Sequence, residues 1–111
     1  MKPFTETPAD PVRRRPARIE IRLPQEITAT QERELAALVR YCVLRSEREV
    51  GLRRQWTVTL SVVANADYGC TVAVDDLGDV IDAVAFGRDP ALAAWDAMCG
   101  VERTLRDRHL S

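Results

Sequence analysis

The side chains able to do chemistry are few and dispersed along the 111 residues. His109 is the single histidine, followed only by Leu110 and Ser111. General acid–base work there needs a rigid shell of partners, and a terminal helical turn that frays does not supply one. Asp75, Asp76, Asp79 and Asp82 gather enough carboxylate for a cation, but they lack the alternating carboxylate and glycine spacing of a calcium loop. Aspartates that bond their own backbone are also what a hairpin turn uses, and the turn is the expected reading. Cys42, Cys70 and Cys99 are far apart, odd in number and set in apolar patterns, so they read as buried thiols rather than zinc ligands. No phosphate-cradling glycine loop, nucleophile elbow or dinucleotide fingerprint is present. The residues thus point away from an enzyme, a cofactor and a metal.

What the chain has in quantity is arginine. Of sixteen basic residues only Lys2 is lysine. A GC-rich coding bias yields that preference with no function behind it. Arginine also suits phosphate, since its planar fork donates two parallel hydrogen bonds to two oxygens. Against a nucleic-acid partner stand the formal net charge of -1 and the stretch from Asp67 to Asp82, with five aspartates and no base.

These groups must be positioned by elements that the hydropathy pattern outlines. Hydrophobic residues make up 46% and charged residues 30%, the balance of one globular domain with one core. Residues 1–16 hold Pro3, Pro8, Pro11 and Pro16 with the triplet Arg13, Arg14 and Arg15, and few apolar groups. Such a segment buries too little to offset its ordering entropy, and a flexible tail is expected, with a single domain over 17–111. No apolar run nears the ~20 residues of a membrane span, and the N-terminus lacks the apolar stretch of a secretory signal, so the cytoplasm is the expected compartment.

From Ala17 onward, Ile19, Ile21 and Leu23 alternate with Arg18, Glu20 and Arg22, a half-buried strand ended by Pro24. Thr28 or Thr30 caps a helix whose inner face carries Leu35, Leu38, Val39 and Cys42. Its outward positions hold Glu32, Arg33, Glu34, Arg40, Arg45, Glu47, Arg48 and Glu49, and Gly51 ends it. Trp56, Val58, Leu60 and Val62 mark a second strand. After Asn65-Ala66-Asp67, Cys70, Val72 and Val74 mark a third. Asp75 to Asp79 turn the chain into a fourth, from about Val80 to Phe86.

Asp89-Pro90 opens a last helix with Leu92, Trp95, Met98, Cys99 and Leu105 at helical spacing. Gly100 within it suits the close approach of a neighbour. The fold class is therefore α+β, in the order β-α-β-β-β-α: a four-stranded sheet with both helices packed on one face. The open face displays Arg18, Arg22, Thr57, Thr59, Ser61 and Thr71, with Glu20 and Asp82 among them.

This order and its particular end resemble the bacterial ribosome-hibernation factors, the family of ribosome-associated inhibitor and hibernation-promoting proteins in its short form. The resemblance covers about residues 17–109. Its most specific part is Gly87-Arg88-Asp89, then the alanine-rich helix with Ala91, Ala93 and Ala94, then Glu102-Arg103-Thr104-Leu105-Arg106 and His109. Departures include Pro90 and Ala91 where the family has larger side chains, and a near-balanced surface where it has many lysines.

The resemblance implies a translation inhibitor of resting or stressed cells, seated in the decoding channel of the small ribosomal subunit through phosphates of the 16S rRNA. Such binding reads RNA shape more than sequence. The implied RNA contacts are Arg18 and Arg22, Arg33 and Arg40, Arg53 and Arg54, Arg88, and Arg103, Arg106 and Arg108. The alternative is a diverged module of the same fold that binds another protein or itself, through the acidic hairpin or the open sheet face. A free-standing binder of double-stranded RNA shares part of the element order, but Asp89-Pro90 stands where that module needs a lysine-rich helix start.

Overall fold

The structure, a computed structural model, describes residues 18–51 and 53–110. The expected flexible tail over residues 1–16, with its arginine triplet, lies outside the described residues, as does the side chain of Arg18.

The element order is β1 (Arg18–Arg22), α1 (Ala29–Val50), β2 (Gln55–Val62), a short 3-10 turn (Ala64–Ala66), β3 (Tyr68–Asp76), β4 (Asp79–Gly87) and α2 (Pro90–Leu110). The α+β reading and the β-α-β-β-β-α order hold, and the spatial order of the sheet is β1-β2-β3-β4. β1 runs parallel to β2, as a helical crossover allows, and the other pairs are antiparallel hairpin neighbours.

Local chemistry explains the boundaries. Thr28 caps α1: its hydroxyl accepts from Gln31 N at 3.1 Å, and Gln31 Oε1 accepts from Thr28 N at 3.0 Å, a reciprocal capping box. Gly51 ends the helix at φ 81° and donates to Glu47 O. Asp89 caps α2 by accepting from Ala91 N at 2.9 Å. The β3–β4 turn is tighter than the sequence suggests. Asp76 pairs with Asp79 in the ladder, so only Leu77 and Gly78 turn, both at positive φ (58° and 98°), as a type I′ hairpin requires. Asp75 Oδ1 holds the turn by accepting from Gly78 N at 2.9 Å.

The register aligns Ile19, Trp56, Val74 and Ile81 in one row across the sheet, and Ile21, Val58, Val72 and Ala83 in the next. These rows meet Leu35, Val39, Cys42 and Val43 of α1 and Ala93, Ala94, Ala97, Met98, Val101 and Leu105 of α2 in a single core. The intervening residues, including Arg22, Thr57, Thr59, Ser61, Thr71, Glu20 and Asp82, occupy the opposite face, as expected.

Two helix faces differ from the sequence reading. Leu92 (57% exposed) and Trp95 (37%) lie off the buried stripe of α2, where Ala93, Ala94 and Ala97 join the expected Met98 and Leu105. Small side chains let the helix approach the sheet, and a Cβ on Gly100 would come within 3.0 Å of Ala83 Cβ. In α1, Glu47 is buried rather than outward. Its carboxylate accepts from the backbone N of Arg54 at 2.8 Å and from Trp56 Nε1 at 3.1 Å, fixing the start of β2 against the end of the helix.

Candidate nucleic-acid interface

Arginines converge in two places. At the β3–β4 hairpin, Asp76 has no exposed surface, and two arginines and a histidine reach it. Arg54 Nε donates to Oδ1 at 2.8 Å, Arg108 Nε donates to Oδ2 at 2.7 Å, and His109 Nε2 lies 2.9 Å from both oxygens. Burial alone would raise the Asp76 pKa. The hydrogen bonds from His109, Arg54 and Arg108 outweigh it and hold the group down at about 2. An ionised carboxylate only accepts, so His109 Nε2 carries a proton here. Arg108 also reaches Asp79 at 3.0 Å, and its own pKa is pushed up by these two carboxylates. The end of α2, expected to fray, is thereby pinned to the hairpin.

The second place is a cleft of about 540 Å³ between the C-terminal half of α1 and the middle of α2. Arg45, Arg48 and Glu49 line it from α1, and Trp95, Cys99, Glu102, Arg103 and Arg106 from α2. Arg45 donates from Nε and Nη2 to the two oxygens of buried Glu102, at 2.9 and 2.7 Å. This bidentate bond keeps Arg45 firmly protonated. Its guanidinium also lies over the rings of Tyr41 (5.2 Å) and Trp95 (5.1 Å), within cation–π range. Arg106 bonds Glu49 at 3.1 Å on the exposed rim. Arg48 and Arg103 form no ion pair with a described residue.

The arginines named from the sequence thus fall in different environments. Arg33, Arg40 and Arg88 are exposed, the first two on the outward face of α1 and the third between β4 and α2. Arg53 is exposed beside Arg54. Arg22 is exposed on the open sheet face and bonded to Glu20 at 3.0 Å. Arg103 and Arg106 line the cleft, while Arg108 is committed to two aspartates and Arg54 is buried with its side chain 3% exposed. Arg45, Arg48 and Trp95 were not singled out. The signal was present as the spacings Arg45–Arg48 and Arg103–Arg106, each of which puts two arginines on one side of its helix.

Cys42 and Cys70 are buried as expected, their thiols pushed up to about 11 by burial. Cys99 differs, being partly exposed at the cleft. Among the described residues no group of three or more His, Cys, Asp or Glu side chains is arranged to hold a metal ion. No described helix is long and apolar enough to cross a membrane.

No protein-family model and no curated protein sequence matches the chain. Solved structures do match. The N-terminal domain of Protein Y from Thermus thermophilus superposes with a TM-score of 0.66 at 18% identity, over 83% of this chain and 97% of that one. A ribosomal subunit interface protein from Coxiella burnetii superposes at 0.65 with 15% identity, over 84% and 98%. At these identities the likeness is one of fold, and it runs through nearly the whole of both structures.

Proposed function

We propose that the protein binds the small ribosomal subunit through phosphates of the 16S rRNA, occupies the decoding channel, and inhibits translation in resting or stressed cells. The observation that carries this reading is the match of fold, almost end to end, to a ribosomal subunit interface protein. The distribution of charge supports it. The acidity of the β3–β4 hairpin is partly neutralised from within, since Arg54, Arg108 and His109 engage Asp76, and Arg108 engages Asp79. Arg33, Arg40, Arg48, Arg88 and Arg103 remain exposed, or open to the cleft, as phosphate donors. Their forks suit backbone oxygens, which position a protein on RNA without reading its sequence.

The test is co-sedimentation with 30S and 70S particles over a salt series. About five phosphate contacts predict a loss of affinity of about 100- to 500-fold between roughly 50 and 200 mM salt, from released counterions. Protein that stays at the top of the gradient at the lowest salt overturns the proposal.

One observation favours a second reading, a protein-binding module. Val80 (70% exposed), Val84 (58%) and Phe86 (64%) stand on the open sheet face along β4, which is an edge strand. An apolar stripe on an edge strand is a common site of pairing with another chain. This reading predicts a self-associated or partner-bound species whose formation Val84→Lys prevents, as seen by sedimentation velocity, with little affinity for ribosomes.

A further inference from the structure

We infer that the cleft between α1 and α2 seats one unstacked nucleotide of single-stranded RNA, its base against Trp95 and Arg45 and its flanking phosphates on Arg48 and Arg103. The inference rests on the RNA-binding reading and narrows it to one recognition event.

The lining divides into two kinds of surface. Arg45 is held in plane by its bidentate bond to buried Glu102 and lies over both Tyr41 and Trp95. A guanidinium fixed in this way, beside an indole that keeps 37% of its surface exposed, forms a flat and preorganised platform. Bases that have left a stack are bound on such aromatic and guanidinium planes. The second surface is cationic. Four arginines face two glutamates, and each glutamate is already bonded to an arginine: Glu102 to Arg45 and Glu49 to Arg106. The surplus is Arg48 and Arg103, supplied by different helices across the cleft. Two separated phosphate donors flanking a stacking platform match a base with the backbone on either side of it.

Size and shape select among nucleic acids. A volume of about 540 Å³ in an open cleft has room for one small ligand lying against its walls. A duplex keeps the faces of its bases inside the stack, so it can offer this cleft only phosphates at the rim. A single strand, a bulge or a loop offers both. An acidic peptide would satisfy the arginines and leave the platform unused.

Trp56 is fully buried and Trp95 is the other tryptophan, so a ligand-dependent change in intrinsic fluorescence reports on the cleft. The probe is a short single-stranded oligoribonucleotide titrated into the full chain, against the same sequence closed into a hairpin duplex and against an oligoglutamate. The single strand is expected to quench Trp95 and to bind at least roughly tenfold more tightly than the duplex. Read by the fluorescence anisotropy of an end-labelled strand, a signal that does not depend on Trp95, Trp95→Leu is expected to weaken binding roughly tenfold, and Arg48→Gln with Arg103→Gln by a similar factor, with unchanged thermal unfolding. Equal binding of duplex and single strand, full affinity in Trp95→Leu, or displacement of the RNA by oligoglutamate at equal concentration overturns the inference. Co-sedimentation with 30S particles without oligonucleotide affinity overturns the cleft assignment and leaves the ribosomal reading standing. Oligonucleotide binding lost in Trp95→Leu, by a protein that ignores 30S particles, does the reverse.

Discussion

Asp76 closes β3 with its carboxylate fully buried, and Arg54, Arg108 and His109 donate to it from the start of β2 and the end of α2. Replacing one partner of a buried ion pair leaves the other charge uncompensated, which costs more than the pair itself contributes. Asp76→Asn is therefore expected to lose about 3–5 kcal/mol, because the Arg54 guanidinium stays inside without its counter-charge, and urea unfolding measures this. The same carboxylate sets an acid limit. Its folded pKa of about 2 lies below the ordinary 3.8, so ionised Asp76 stabilises the fold fully above about pH 4. That contribution, about 2 kcal/mol from the size of the depression, is lost as the pH falls from 4 towards 2. Melting temperatures measured across this window are expected to fall in the native protein and to fall less steeply in Asp76→Asn. A slope that Asp76→Asn leaves unchanged would assign the acid sensitivity to other carboxylates. None of this was legible from sequence, where Asp76 reads as one of several turn aspartates. Its partners lie 22, 32 and 33 residues away along the chain.

At the level of the elements, the strands and both helix starts were legible because their determinants are local. Alternation at period two set the inner face of β1, β2 and β3, and Thr28, Gly51 and Asp89 act within four residues of themselves. The inner face of α2 was legible only in part: Met98 and Leu105 are buried as read, but apolarity favours the large side chains Leu92 and Trp95 where packing distance favours Ala93, Ala94 and Ala97. Gly100 makes the point quantitatively. Alanine there would gain about 1 kcal/mol of helix propensity. Its methyl, however, would stand 3.0 Å from Ala83 Cβ, and neither carbon can rotate away, since both are fixed to backbone. Overpacking of this kind costs about 1–3 kcal/mol, so Gly100→Ala is expected to destabilise on balance. In a double-mutant cycle the cost should shrink or reverse in an Ala83→Gly background, and additive effects would show that the contact is slack. Thr28→Ala, which dissolves the capping box of α1, is expected to cost about 1 kcal/mol in the same assay.

For the molecule as a whole, a formal charge of -1 conceals a division of labour among the arginines. Arg54 and Arg108 are bound to aspartates that join the hairpin to β2 and α2, while Arg48 and Arg103 face solvent in a cleft with no carboxylate of their own. Composition cannot separate the two groups, since the docking of α2 against α1 and against the β3–β4 hairpin decides which carboxylate each arginine meets. The division predicts opposite outcomes for similar substitutions. Arg54→Gln is expected to lower stability by more than 1 kcal/mol, because it strands Asp76 without one of its donors. Arg48→Gln together with Arg103→Gln removes charge from exposed positions and is expected to move unfolding by no more than about 0.5 kcal/mol per site. Under the proposed function, the same pair should weaken ribosome binding and flatten its salt dependence, reducing the slope of log affinity against log salt by about 1.4–1.8 for two lost phosphate contacts. A pair variant that keeps the full slope would place the RNA contacts elsewhere, on Arg33, Arg40 and Arg88. A pair variant that unfolds easily would mean that the cleft arginines hold the helices together rather than a ligand.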